Sequence, residues 1–243
     1  MSEIPPSSQN LLLAALSDEV RARLLPHLEQ VPMPIGQVLY ESGGGMGCVY
    51  FPIDAIVSTL YVMENGASVE ISVVGNEGFV GIEVVLGGCS TPSRGLVQGA
   101  GHAWRLPAAR LREEFEQDGE LQQRMLRFTQ ALVTQVAQTA ACNRHHTIDQ
   151  QLCRWLLMLL DRLPDNQLTM TQELIAHMLG VRREGVTEAA SKLQRLGVIE
   201  YHRGHITVLD RPRLEQLSCE CYAVVRKETE RLLPWVAARS DGQ

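Results

Sequence analysis

A single glycine, Gly180, limits this chain more than any other residue. It stands between two runs of helical period. Upstream, Leu174, Ile175, Met178 and Leu179 recur at helical spacing, and downstream Val186, Ala189, Ala190, Leu193 and Leu196 do the same. A chain that turns sharply between two helices needs a residue tolerant of positive φ, which Gly180 supplies. Ala176 lies four residues before it and Val186 six after. A small residue lets the helices approach, the glycine turns the chain, and the valine plugs the seam. This spacing predicts a helix-turn-helix.

The residues that fall away from that seam are of a particular kind. The second helix opens with Arg182, Arg183 and Glu184 and continues with Thr187, Glu188, Lys192 and Arg195. Arginine pairs with guanine O6 and N7, glutamate accepts from cytosine N4, and threonine reaches base or phosphate. Thr171 and Gln172, at the start of the first helix, are further candidates for DNA contact. Two apolar-rich segments follow, Val198 to His202 and His205 to Leu209, joined at Arg203-Gly204. They read as a β-hairpin wing with Arg203 placed to touch phosphate. A plain helical hairpin with a solvated charged face would also need a glycine turn. The seam, the charged helix start and the wing together favour a reader of double-stranded DNA.

Charge supports a local contact only. The chain carries a net −6, which argues against blanket affinity for nucleic acid. From Arg182 to His205, five basic residues stand against three acidic ones, a small basic face on an acidic protein. Its 243 residues suffice for two domains. The lead segment MSEIPPSSQN lacks a basic stretch followed by an apolar core, so no signal peptide is expected. No apolar run approaches membrane-spanning length. A cytoplasmic protein without membrane contact is the expectation, with its six cysteines mostly as reduced thiols.

Taken in order, the first ten residues are polar and expected to be loose. Leu11 to Leu28 reads as one or two short helices, with Ser17 as N-cap. From Ile35 to Leu106 short apolar segments alternate with glycines: Val38–Tyr40, Cys48–Phe51, Ile56–Met63, Ser68–Val74, Phe79–Val85, Gly95–Gln98 and His102–Leu106. Asn65-Gly66 is a hairpin signal. The pattern predicts an antiparallel sandwich or jelly-roll barrel. After Pro107, Ala108 to Phe115 reads as a short helix. Leu121, Met125, Phe128, Leu132, Gln135, Thr139 and Cys142 then recur at alternating steps of four and three, a heptad-like seam. Val133, Val136, Ala137 and Ala140 thicken that stripe. A helix packed on its own barrel would show the same seam; a two-fold DNA reader needs a dimer helix, and Leu121, Met125, Phe128, Leu132, Gln135 and Thr139 are the candidate dimer contacts. Asn143 to Thr147 breaks the pattern as a hinge, Asp149 to Leu163 is a further helix, and Pro164-Asp165-Asn166 turns into the helix-turn-helix. Arg213 to Val236 reads as one or two terminal helices. The fold class is α+β, with a barrel at 11–106, dimer helix and hinge at 107–146, and a winged helix-turn-helix at 147–243.

In this order of parts the sequence resembles the Crp/Fnr family of bacterial transcription regulators, over roughly Leu11 to Leu217. The family's Gly-x-x-Arg-Glu-x-Val pattern is present as Gly180-Val181-Arg182-Arg183-Glu184-Gly185-Val186. The resemblance implies a homodimer on a near-palindromic operator, with Arg183 and Glu184 reading bases and RNA polymerase as a further partner. Many members carry another arginine where Glu188 stands, so the half-site should differ from the best-known family consensus. The barrel departs further from the family's cyclic-nucleotide-binding form. Its phosphate cassette is Gly-Glu-Leu followed by Arg-Ser/Thr-Ala. Here the stretches are Gly81-Ile82-Glu83 and Ser93-Arg94-Gly95, each out of register by one. One residue moves a strand side chain to the other face. Gly81, Glu83, Ser93 and Arg94 are therefore candidate ligand residues, but dependence on cyclic AMP is not expected; a cyclic-nucleotide-responsive regulator is the alternative. The iron–sulfur branch of the family uses N-terminal cysteines, and none precedes Cys48.

Other groupings point to packing. Cys142, His145, His146 and Cys153 are metal-capable types, but their spacing matches no closed zinc site. Cys219-Glu220-Cys221 is tighter than the usual two-residue spacer. No metal and no cofactor is expected, an unidentified small-molecule effector aside. A cupin-like enzyme with a vestigial helix-turn-helix is a second alternative. Its barrel would need convergent histidines, whereas His102 stands alone, and no nucleophile elbow or Walker loop is present. No catalytic residue is assigned.

Overall fold

The computed structural model describes residues 10–236 apart from 89, 118 and 164. The polar lead segment before Asn10, Cys89, and Pro164 of the expected turn lie outside the described residues. No helix among those described is long and apolar enough to cross a membrane. The chain divides into two compact units, one built from residues up to 59, 74–133 and 228 onward, the other from 60–73 and 134–227.

The first unit opens with short helices α1 (Leu11–Ala14) and α2 (Asp18–Leu24), capped by Asn10 and Ser17. The strands are β1 (Glu29–Met33), β2 (Val38–Tyr40), β3 (Cys48–Pro52), β4 (Ile56–Val62), β5 (Ser68–Val74), β6 (Arg94–Gly99) and β7 (Gly101–Pro107). They form a three-stranded sheet in the order β1-β7-β3 and a four-stranded sheet in the order β2-β6-β4-β5. Glycine-punctuated apolar segments thus make the expected antiparallel β architecture, with two differences. Glu29–Met33 is a strand although it contains Pro32; β1 lies at a sheet edge, where a missing N–H costs no ladder bond. Phe79–Val85 is not a strand. It makes one isolated bridge through Val80 and then a 3-10 turn at Ile82–Val84.

Helix α3 (Ala108–Phe115) and the first half of α4 (Glu120–His145) close this unit's core. The rings of Phe51 and Phe79 lie 5.8 Å apart, and Phe128 stands 5.3 Å from Phe79. Leu121, Met125, Phe128 and Leu132 are all buried in this core. Its last members come from the far end of the chain. Leu232 and Leu233 are buried in it, Trp235 donates its Nε1–H to the Glu77 carbonyl at 3.1 Å, and the Arg124 guanidinium lies 5.4 Å over the Trp235 ring. The expected domain 147–243 is therefore shorter than assigned, because residues 228–236 belong with the barrel.

The second unit gathers the end of β4, the turn after it and β5 up to Val73, the rest of α4, α5 (Ile148–Leu160), β8 (Gln167–Thr169), α6 (Gln172–Leu179), α7 (Arg183–Arg195), β9 (Ile199–His202), β10 (His205–Val208), α8 (Arg211–Leu217) and most of α9 (Glu220–Leu232). Where a hinge is expected at Asn143–Thr147, α4 stays helical to His145, and Thr147 opens α5 with a capping box: it accepts from the Gln150 backbone while Gln150 reaches back to Thr147. The amide side chain of Gln135 grips the backbone of Val73, accepting at 2.6 Å and donating at 3.3 Å. Trp155, fully buried in α5, donates to Glu70 Oε1 at 3.0 Å.

These facts correct the dimer assignment. Leu121, Met125, Phe128, Leu132, Gln135 and Thr139 are all buried within a single copy, so none is free to meet a partner. The reason is that α4 carries two stripes of the same period. The more apolar one packs inward. The outward one is Leu126, Gln130, Val133, Ala137, Ala140 and Arg144, again at alternating steps of four and three.

Candidate nucleic-acid interface

Thr171 caps α6 by accepting from the Leu174 backbone at 3.2 Å. The helix ends at Gly180 in the left-handed region at φ 67°, where the Val181 N–H closes onto the Ala176 carbonyl. Ala176 and Val186 are buried at the seam. The helix-turn-helix expected from these three residues is present.

With its inner face fixed by Val186, Ala189, Ala190 and Leu193, α7 exposes Arg182, Arg183, Glu184, Thr187, Glu188 and Arg195. The amino-terminal turn of a helix carries free N–H groups and a partial positive charge, and two arginines stand there. Ser191, which sequence reasoning passed over, is exposed one turn beyond Thr187; a lone serine carries no pattern. Two members of the set also have internal duties. The Thr187 hydroxyl donates to Gln172 Oε1 at 2.7 Å, bridging α6 and α7, so it orients Gln172. Lys192 forms an ion pair with Asp149 of α5, which holds its ammonium above the ordinary range. It serves the scaffold.

The wing is a three-stranded sheet in the order β8-β10-β9. The sequence showed β9 and β10 but not β8, a three-residue strand visible only through its pairing with β10. At the tip Arg203 has φ 47° and Gly204 φ 85°, and Arg203 is the one non-glycine residue in that region among those described. A two-residue turn with both φ values positive matches strand twist, but it favours Asn or Gly at the first position. An exposed arginine held there trades backbone ease for a guanidinium at the wing tip. Beneath it the Tyr201 hydroxyl donates to the Met170 carbonyl at 2.8 Å, and burial raises its pKa.

The barrel candidates Ser93, just before β6, and Arg94, its first residue, differ in burial. Ser93 is buried, its hydroxyl 2.9 Å from that of Thr91. Arg94, next along, lies on the outer face and donates to Glu41 at 2.8 Å, with both side chains part exposed. Its candidacy as a pocket cation is corrected on that ground. The irregularity in this pair of strands falls in β2, between Val38 and Tyr40, and does not turn Arg94 inward. A side chain at Gly95 would overlap the Tyr40 ring, which fills that position. Gly81 has φ 107° and opens the 3-10 turn that contains Glu83.

A family model for the Crp-like helix-turn-helix domain matches residues 150–217. That segment is a Crp-like helix-turn-helix domain. The Crp-like domain thus runs from α5 to α8 and takes in the charged face of α7 and the wing. A search of curated protein sequences returns no match. Solved structures are similar over nearly their whole length. FixK2 from Bradyrhizobium japonicum has 16% identity and a TM-score of 0.69, covering 79% of this chain and 98% of its own. A crp/fnr-family regulator from Eubacterium rectale has 19% identity and a TM-score of 0.64, covering 85% and 96%. The c-di-GMP-responsive global regulator CLP of Xanthomonas campestris has 16% identity and a TM-score of 0.60, covering 80% and 100%. At these identities the likeness is one of fold. The chain shares the fold of these Crp/Fnr structures, and its residues 150–217 are a Crp-like helix-turn-helix domain.

Proposed function

We propose that the protein is a homodimeric transcription regulator that reads a near-palindromic operator through α7 and does so without cyclic AMP. The observation that carries this reading is the exposed row Arg182, Arg183, Glu184 and Glu188, held outward by the buried seam of Ala176 and Val186. Arg183 and Glu184 read bases, Arg203 meets phosphate, and the outward stripe of α4 meets its counterpart in a second copy. On the operator, RNA polymerase is the protein partner. Independence from cyclic AMP is supported by Ser93, which faces inward where a cation is required, and by Arg94, engaged outside by Glu41. A buried cyclic phosphate without a fixed cation is prohibitively costly. The reading gives the chain no reaction to catalyse.

Selection of bound sequences from random duplexes, with and without cyclic AMP, tests it. The expected product is a near-palindrome with half-site centres about one helical turn, or a small multiple, apart. The nucleotide leaves it unchanged. Arg183→Ala should relax choice at one base position, at a cost of about 1–3 kcal/mol. An asymmetric site, or one recovered only with cyclic AMP, would overturn the reading.

Arg203→Gly separates the wing's two roles. Gly suits positive φ, so the fold should be unharmed or gain by about 1 kcal/mol. All duplexes should bind more weakly alike, and the salt slope should fall by about one unit. A changed base preference would show that Arg203 reads sequence.

A further inference from the structure

Among the described residues, Cys142, His146, Cys219 and Cys221 bring their ligand atoms within 4.8 Å of one another. Cys142 lies in the last turns of α4 and His146 just past its end; Cys219 precedes α9 and Cys221 lies in its first turn. Cys142 Sγ is 3.6 Å from Cys219 Sγ, and Cys221 Sγ is 3.5 Å from His146 Nδ1. A tetrahedral zinc ion with bonds of about 2.3 Å to sulfur sets ligand–ligand edges near 3.8 Å. Four ligands this close fit one metal; an iron–sulfur cluster spreads its ligands over separate irons. Thiolate and imidazole are soft donors that select zinc over magnesium or calcium.

The surroundings are those of a metal centre. His146 Nε2 lies 3.2 Å from Glu220 Oε2, so the carboxylate holds the proton on that nitrogen and leaves the Nδ1 lone pair facing the sulfurs. Gln138 donates to Cys221 Sγ at 3.1 Å. Arg154, 3% exposed, sits where its charge acts on Cys142. Its Nη1 meets only the Thr139 hydroxyl and the Met158 sulfur, and its Nε has no hydrogen-bond partner. No carboxylate among the described residues pairs with it. A buried guanidinium without a counter-charge is costly. Three thiolates around a divalent cation leave one net negative charge, which Arg154 balances.

We propose that Cys142, His146, Cys219 and Cys221 bind one structural Zn2+ ion per chain, fastening the end of α4 to the start of α9. Each ligating thiol gives its proton to solvent, and zinc bonds to sulfur in its place. This replaces the expectation of no metal. Of the group singled out in the sequence, Cys142 and His146 take part; His145 and Cys153 do not.

The test uses the full chain purified from zinc-supplemented medium. Elemental analysis should return one zinc per chain, retained through dialysis. Exchange with Co2+ should give the intense visible bands of tetrahedral thiolate coordination. Cys221→Ser and His146→Gln should each lose most of the metal, whereas Cys48→Ser keeps it. Should the site variants fail to fold, the wild-type chain decides: stripping by chelator under reducing conditions should lower the melting temperature, and Zn2+ alone should restore it. Zinc far below stoichiometry without the Co2+ bands, iron with sulfide in its place, or a Cys142–Cys219 disulfide in the freshly purified chain would each overturn the assignment. None of these outcomes depends on operator binding.

Discussion

Val133→Asp is expected to turn the protein into a monomer at micromolar concentration and to cost about 10²–10⁴-fold in operator affinity, since two linked readers gain that much over one. Val133 is 59% exposed and sits at the middle of the outward stripe of α4, with Leu126 at 45% on the same line. A heptad-spaced apolar seam on a long helix is what a second helix packs against. An aspartate there would be desolvated without a partner on pairing, but it is free to stay hydrated in the monomer. The inward stripe is untouched, so the barrel should keep its melting behaviour. Sedimentation and operator titration check both halves. A stable dimer with full affinity would place the two-fold contact elsewhere.

Trp155→Ala should destabilise the second unit by about 3–5 kcal/mol, the usual cost of truncating a large buried aromatic. Trp155 is 2% exposed, and its indole N–H donates to the Glu70 carboxylate. Trp155→Phe keeps much of the packing and removes only the donor. It should cost about 1.5–3 kcal/mol, the value of a hydrogen bond to a charged group. Hydrogen exchange of α5 and of β5 reads this locally. A Phe variant as stable as the parent would show that the ring alone carries the site.

The helix-turn-helix was legible because its geometry is imposed within a few residues. Only glycine sits easily at the φ of residue 180, and the spacing to Ala176 and Val186 follows from helix pitch. The wing was legible for the same reason at Arg203-Gly204. The direction of α4 was not. Both of its stripes repeat at the same steps, and which one faces inward depends on Phe51, Phe79 and other residues that meet it only in the folded unit. Strand β8 is too short to have a period of its own. The cysteine cluster was hidden for a further reason: Cys142 and Cys219 are 77 positions apart, and half a ligand set looks like any small buried side chain. Reading the two halves as separate groups made each look structural. The one-residue displacement did separate Ser93, just before β6, from Arg94, its first residue: one is buried and the other part exposed.

Leu232, Leu233 and Trp235 complete a core whose other members come from before residue 134. The DNA reader is thus an excursion made in the middle of the barrel's own chain. Translation order then runs against structural order. The strands leave the ribosome first, yet their core stays open until Leu232 to Trp235 follow, while every residue from Thr134 to Lys227 has already been made. A premature stop just before Leu232 would spare the whole reader sequence and strip the barrel of its closing side chains. The codons for Leu232 to Trp235 serve the first domain.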